Sequence, residues 1–326
     1  MKAVAYYQSL PSSDPHSLQD IELPAPTPGP RDLLVAVRAI SVNPVDTKIR
    51  SNVAPADGQA KVLGWDVAGV VQAMGSEVSL FQVGDEVFYA GALQRQGGNS
   101  ELHVVDERIV GHKPRSLGFA EAAALPLTAI TAWELLFERL KIAEGSASSG
   151  QSLLIIGAAG GVGSILTQLA RQLTGLTVIG TASRPETADW VRQLGAHHVL
   201  DHSQPLLPQL QQLGIQQVNH VASLTHTDQH YDQLIEALAP QGQLALIDDP
   251  AQLDVVKLKR KSLSLHWEFM YTRSLFETPD MQAQHALLEQ VAQLIDAGTL
   301  HTTLGEHFGS INASNLRRAH TLLESG

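Results

Sequence analysis

Hydrophobic and polar positions along this chain fall into distinct textures. Up to about residue 120, short apolar runs at Leu33–Val37, Val67–Val71 and Glu86–Tyr89 are separated by Gly, Pro and Asp, which predicts a β-rich region. Residues 24–30 hold four prolines and a glycine and read as an extended loop, and Gly84-Asp85 and Gly97-Gly98-Asn99 mark turns. From Phe119 to residue 143 the spacing turns helical. Strands and helices then alternate. Ser152–Ile156 is an unbroken apolar strand, Gly163–Thr174 a helix, Leu176–Gly180 a strand and Pro185–Leu194 a helix. A short strand starts at Val199, Gln217–Ala222 is another strand, Tyr231–Leu238 a helix and Gln243–Ile247 a strand. Such alternation, with continuous apolar strands, predicts an α/β fold with a doubly wound parallel sheet. Past about residue 262 the pattern changes again, to an amphipathic helix over Met281–Ala297 and a last helix over Ser314–Glu324.

Length and charge narrow the function classes. A chain of 326 residues exceeds what one core usually serves, so two domains are expected. The formal charge is −11, from 22 basic and 33 acidic side chains, which argues against nucleic acid or an anionic membrane as partner. The run Lys257–Lys261 is read as a solvated face. There is no cysteine, hence no disulfide and no thiolate nucleophile or metal ligand. Met1–Tyr7 does not read as a signal peptide and no apolar run of about 18 residues is evident, so a soluble, cytoplasmic protein is expected.

The sharpest motif is Gly157-Ala158-Ala159-Gly160-Gly161-Val162-Gly163, between a predicted strand and a predicted helix. That context suits a dinucleotide fingerprint: Gly160 admits a pyrophosphate close to the backbone, Gly163 lets the helix pack close, and the helix start offers amides and a positive dipole end. Ala158 stands where the first glycine usually falls. After the next strand, Thr181-Ala182-Ser183-Arg184 has no acid to grip ribose hydroxyls, whereas Ser183 and Arg184 can grip a 2′-phosphate. NADPH is therefore the expected cofactor, unless Arg184 is only a surface residue at a helix start.

The glycine loop, the β-rich front and Ser41-Val42-Asn43-Pro44-Val45-Asp46 together resemble the medium-chain dehydrogenase/reductase superfamily, nearest its quinone oxidoreductase (zeta-crystallin-like) branch and the proteins labelled zinc-type alcohol dehydrogenase-like. Leu63–Gly69, Val83–Val87, Leu125–Ala129, Ser183–Thr187 and Leu194–Ala196 extend the resemblance over nearly the whole chain. It implies a GroES-like β domain from residues 1–122 and 263–326, with a Rossmann NADPH-binding domain over 123–262, a nicotinamide held in the cleft between them, and a homodimer. It also leads one to expect a short strand after Glu324-Ser325-Gly326, where this sequence stops.

The resemblance further implies where zinc would sit in zinc-dependent members, and this chain departs there. The ligand positions match Asn43, Trp65 and a residue near Ala124, and an indole is donor-only. The histidines at 197, 198, 202, 220, 226 and 230 show no paired ligand spacing, so no metal is expected. The implied activity is a zinc-independent hydride transfer to a quinone or an α,β-unsaturated carbonyl, which needs positioning, oxyanion stabilisation and a proton. Asn43 is the first candidate, as a catalytic donor and a nicotinamide contact, although Asn43-Pro44 also reads as a plain turn. Asp46 is either part of the site or a buried cap. Lys48 polarises an enone oxygen or faces solvent. Cofactor contacts are expected from Asn43, Thr128, Ala159, Gly160, Gly161, Val162, Gly163, Ser183 and Arg184. Trp65, Phe88, Tyr89, Trp267, Phe269 and Met270 line an acceptor pocket or simply pack the core, and Tyr89 could donate a proton. The alternatives are a zinc alcohol dehydrogenase, an NADPH-binding protein without turnover, and an enoyl reductase module.

Overall fold

The computed structural model describes residues 1–325. Residues 128–270 form one compact unit and the rest of the described chain forms the other.

In the unit 128–270, continuous apolar segments become a parallel sheet. Its strands are Ser152–Ile156, Thr177–Thr181, His198–Leu200, Val218–Ser223, Leu238–Leu246 and Ser264–Trp267, here β9 to β14 after the eight strands of the other unit. They run in the order β11-β10-β9-β12-β13-β14, and every pairing is parallel. This is the doubly wound Rossmann arrangement, in which the chain reverses direction of travel across the sheet between β9 and β12. All five residues of β9 are buried, as expected of a central strand covered on both faces. The strand β14 escapes the sequence pattern because Ser264 and His266 interrupt its apolar run, and because an edge strand needs only one neighbour. With it, the unit runs from Thr128 to Met270, against the expected 123–262.

The other unit is antiparallel. Its strands β1 (Lys2–Tyr6), β2 (Gln19–Glu22) and β4 (Lys61–Val62) form one sheet. In the second sheet β3 (Asp32–Ser41), β5 (Asp66–Met74), β6 (Glu86–Tyr89), β7 (Leu102–Asp106) and β8 (Val110–His112) stand in the order β7-β3-β5-β6-β8. The core of that sheet is Leu33, Val35, Val67, Val71, Val87 and Val105, closed by Met281.

Helices are labelled in chain order as α1 (Pro44–Asn52), α2 (Phe119–Ala123), α3 (Pro126–Trp133), α4 (Gly161–Leu173), α5 (Pro185–Gln193), α6 (Leu206–Gln212), α7 (Thr227–Ala237), α8 (Thr272–Leu275), α9 (Ala283–Asp296) and α10 (Ala313–Ser325). The predicted helix over 119–143 is in fact α2, α3 and a π-helical stretch at Glu134–Arg139. The window Phe119–Arg139 is long and apolar enough to cross a membrane, contrary to the sequence reading, but most of it is buried within the fold. In α1, Arg50 is fully buried and donates to His320 Nδ1 and Glu324 Oε1 of α10, so the last helix anchors the first. Burial beside Arg50 pushes the His320 imidazole down to about 4, which keeps it neutral and able to accept.

The basic run is more structural than its sequence suggests. Lys257 pairs with Asp232, and Lys261 donates to the carbonyls of Ile235, Glu236 and Leu238 at the end of α7, an ammonium cap on a helix C-terminus.

Beside the π-helical stretch, Glu268 is buried next to Glu134, and Arg139 Nε donates to Glu268 Oε2 at 2.8 Å. Burial, then the neighbouring Glu134 carboxylate, raise the Glu268 pKa. A carboxyl whose folded pKa lies above its unfolded one adds stability at low pH and loses it as the pH climbs through the folded value. Thermal melting of the parent is therefore expected to fall as the pH is raised above neutral, and Glu268→Gln is expected to flatten that fall. Parallel slopes for the two proteins would remove this pair as its source.

Candidate functional site

The glycine loop sits at the carboxyl end of β9, beside the point where the sheet reverses. Gly157 takes φ +76, a left-handed conformation that favours glycine. Its amide donates to Thr181 Oγ1 at 3.2 Å, which ties the loop to the end of β10. Gly160 caps α4, and the first turn of that helix leaves amides without intrahelical acceptors. A Cβ on Gly163 would lie 2.3 Å from Gly157 O and 2.6 Å from Ala158 Cα, both backbone atoms, so only glycine lets α4 start here. A Cβ on Gly161 would lie 2.9 Å from Thr128 Cγ2, which brings Thr128 against the loop. Ala159 and Val162 complete the turn. An anion can rest on this helix start.

Ser183 and Arg184 follow β10, the strand hydrogen-bonded to β9, and both are exposed, with Arg184 in the N-cap position of α5. Across the switch point, at the end of β12, Ser223 Oγ meets Thr227 Oγ1 at 2.7 Å, and Thr227 donates from its amide to Asp248 at 2.8 Å. The sequence reading missed this trio, and missed Thr181. Hydroxyls and a carboxylate spread over 25 residues carry no local pattern.

In the other unit, Asn43 caps α1, with Pro44 at its first position. Its amide nitrogen Nδ2 donates to Asp66 Oδ2 at 2.8 Å, and its backbone N–H donates to Asp46 Oδ2 at 2.8 Å. The remaining oxygens take Gly64 N, on Asp46 at 2.8 Å, and Leu127 N, on Asp66 at 2.7 Å. Both carboxyls are buried, and burial raises them, Asp46 to about 7 and Asp66, with the Asp46 charge adding, to about 8. Lys48, on the same helix, is exposed.

Residues 29–133 match the alcohol dehydrogenase GroES-like domain and residues 161–287 match the zinc-binding dehydrogenase domain. A zinc-type alcohol dehydrogenase-like protein of Staphylococcus aureus is 41% identical over 99% of this chain and 96% of its own. The chain belongs to the medium-chain dehydrogenase/reductase superfamily. Within the superfamily it is quinone-oxidoreductase-like: a quinone oxidoreductase of Pseudomonas aeruginosa is 34% identical over 91% of this chain and 88% of its own. Among solved structures, a Rhizobium etli protein named among the zinc-dependent alcohol dehydrogenases shares 54% identity, with a TM-score of 0.97 over 100% of this chain and 95% of its own. A mycobacterial protein solved with NADPH has 27% identity and a TM-score of 0.84 over 100% of this chain and 96% of its own. This member of the superfamily is thus an oxidoreductase with a nicotinamide-type cofactor fold.

The zinc in its relatives' names is not matched by its donor set. Of the positions that the resemblance assigns to zinc ligands, Asn43 has an amide whose nitrogen already donates to Asp66, Trp65 an indole whose Nε1 donates to Ala92 O at 3.2 Å, and the third falls near Ala124. Among the described residues no cluster of three or more His, Cys, Asp or Glu is arranged to hold a metal. The histidines serve locally. His197 Nδ1 accepts from Val178 N, His220 Nε2 pairs with Gln151, and the rings of His202 and His230 meet edge-on at 5.9 Å.

The expected acceptor wall needs correcting at Trp65 and Tyr89. Trp65 is fully buried, its ring edge against Tyr271. Tyr89 is fully buried and its hydroxyl is engaged with His103 Nδ1 at 2.9 Å, while burial holds its pKa well above 10, so it is not poised to give up a proton. Both are apolar enough to be drawn into the sheet's core, which the sequence pattern alone could not distinguish from lining a pocket. Phe88 is likewise core, Met270 is buried, and Trp267 and Phe269 are about half exposed at or just beyond the edge strand β14.

Close packing at Gly163 makes a direct test. Gly163→Ala is expected to cost about 1–3 kcal/mol in denaturant unfolding, because three backbone atoms of Gly157 and Ala158 must move. Gly305→Ala, into open space, is expected to change stability by less than about 0.5 kcal/mol. Equal effects would mean that the approach of α4 to its loop is not tight.

Proposed function

We propose that this chain is a zinc-independent, NADPH-dependent reductase of quinones or α,β-unsaturated carbonyls. The observation that carries the cofactor reading is the glycine-lined start of α4, with Arg184 and Ser183 closing the next strand and no carboxylate there. A dinucleotide pyrophosphate would rest on the amides of Ala159, Gly160, Gly161, Val162 and Gly163, with Thr128 beside them and Arg184 and Ser183 on the 2′-phosphate. The NADPH-bound mycobacterial relative supports the same choice. The bound cofactor supplies a hydride.

The protein's part in the chemistry is to orient the acceptor and to answer the negative charge that moves onto its oxygen as hydride arrives at carbon or at the quinone ring. Asn43 spends one N–H of its amide on Asp66 and keeps the second for that oxygen, and it is also assigned to the nicotinamide. Lys48 is assigned to the polarisation of an enone oxygen, and a solvent proton completes the product. Such acceptors are electrophilic already, so hydrogen-bond donors suffice. Trp267, half exposed, remains the aromatic candidate for substrate contact, while Met270 is buried as Trp65 and Tyr89 are. The exposed edge of β14, with Trp267 half exposed on it and Phe269 just beyond, supports pairing with a second copy in a cytoplasmic homodimer.

NADPH oxidation is expected with a panel of 1,2- and 1,4-quinones and enones. Arg184→Ala is expected to raise the KM for NADPH at least about tenfold while leaving that for NADH nearly unchanged, the loss of one charge-assisted contact. Equal losses for the two cofactors would refute the role of Arg184. One firmly held zinc per chain in metal analysis would refute the zinc-free reading. NADPH binding without turnover of any acceptor would leave only a binding protein. Lys48→Ala is expected to lower enone activity selectively.

A further inference from the structure

Among the described residues, no cation is among the groups that shift two fully buried carboxylates, Asp46 and Asp66. All four of their oxygens accept from N–H groups: Asn43 N and Gly64 N on Asp46, Asn43 Nδ2 and Leu127 N on Asp66. Burial raises both carboxyls and these donors lower them, joined on Asp46 by its own backbone amide, while the Asp46 charge further raises Asp66. The arrangement pins one residue twice. Asp46 holds the backbone of Asn43 at the start of α1, and Asp66 holds its side chain. The second oxygen of Asp66 holds the last amide before the unit that begins at Thr128.

We propose that Asp66 is a positioning residue for the reduction, acting through Asn43, and that Asp46 and Asp66 together make this positioning depend on pH. The inference rests on the reductase function proposed for this chain. An ionised Asp66 offers only acceptors, so the nitrogen end of the Asn43 amide must face it and the second N–H is presented in a fixed direction. A protonated Asp66 carries a donor as well, can meet the carbonyl end of the same amide, and no longer selects one orientation. Two like carboxylates in one dry site cannot both ionise easily, so the proton is held into the neutral range.

Among the described residues, the titratable groups nearby do not enter as counter-charges on either carboxyl. Tyr271 faces both carboxylates, and burial followed by their charges keeps its hydroxyl protonated. On α1, Arg50 is turned to His320 and Glu324, and Lys48 is exposed. On β6, Tyr89 is occupied with His103. The segments at Gly64 and Leu127 bring only amides.

The test compares the full-length parent with Asp66→Asn, Asn43→Ala and the double variant, using whichever quinone or enone the parent reduces. The parent kcat is expected to rise with pH along a limb centred near about 8. Asp66→Asn is expected to lose that limb and to lower kcat at least about tenfold, with the KM for NADPH changed less than about twofold. The double variant is expected to be no slower than Asn43→Ala alone, since Asp66 acts through that amide. Superimposable pH profiles for parent and Asp66→Asn, or additive losses in the double variant, would overturn the proposal. A second measurement needs no turnover: infrared titration of the buried carboxyls, parent minus Asp66→Asn. Asn43→Ala removes a donor that favours ionised Asp66, so the Asp66 titration is expected to move to higher pH. An unmoved titration would overturn the proposal even in a protein that reduces nothing, whereas a moved titration without turnover would count against the reductase reading alone.

Discussion

The unit 128–270 is organised around one backbone-on-backbone contact, the seating of α4 on the loop that leaves β9. The space a side chain would occupy at Gly163 is already filled by Gly157 O and Ala158 Cα. Because the helix starts that close to the strand, its unpartnered amides are gathered at the carboxyl edge of the sheet, beside the reversal between β9 and β12. The rest of that unit supports this placement: β9 is buried along its whole length, and Thr181 fastens the loop to the neighbouring strand. The other unit has a different organising constraint. It keeps two acidic groups dry and uses them to fix an asparagine.

How much of this was visible in the sequence depended on how local the cause was. The strand Ser152–Ile156 and the strand Glu86–Tyr89 match their expected limits, since their ends are set by adjacent turn residues. The expected helix over Gly163–Thr174 begins two residues earlier, at Gly161, because glycines at a helix start look like loop until the capping geometry is known. The strand Ser264–Trp267 was missed because polar residues on an edge strand erase the apolar signal. Side-chain roles behave likewise. The turn and helix start of the glycine loop could be read from its place between an apolar strand and a helix. The burial of Trp65 and Tyr89 could not, because an aromatic ring in a strand serves a core or a pocket with the same pattern. The Asp46–Asn43–Asp66 arrangement joins residues 20 apart through a helix cap and a strand end, so only the fold brings it into view.

Sequence similarity and site chemistry answer different questions in this protein. Similarity along nearly the whole chain fixes the superfamily, and several relatives carry zinc in their names. The positions that the resemblance assigns to zinc ligands are Asn43, Trp65 and a residue near Ala124, and the first two already donate hydrogen bonds within the protein. In the proposed zinc-independent reading the scaffold keeps its architecture while hydrogen-bond donors stand in for a Lewis acid, and one fold is able to host several reactions in this way.

The complete absence of cysteine takes on meaning beside such acceptors. Quinones and enones alkylate soft sulfur nucleophiles far more readily than hydroxyls or protonated amines. A polypeptide with no sulfhydryl has no such target. If the proposed reduction of such compounds holds, the chain would turn over its own electrophiles without thiol adducts accumulating on its surface.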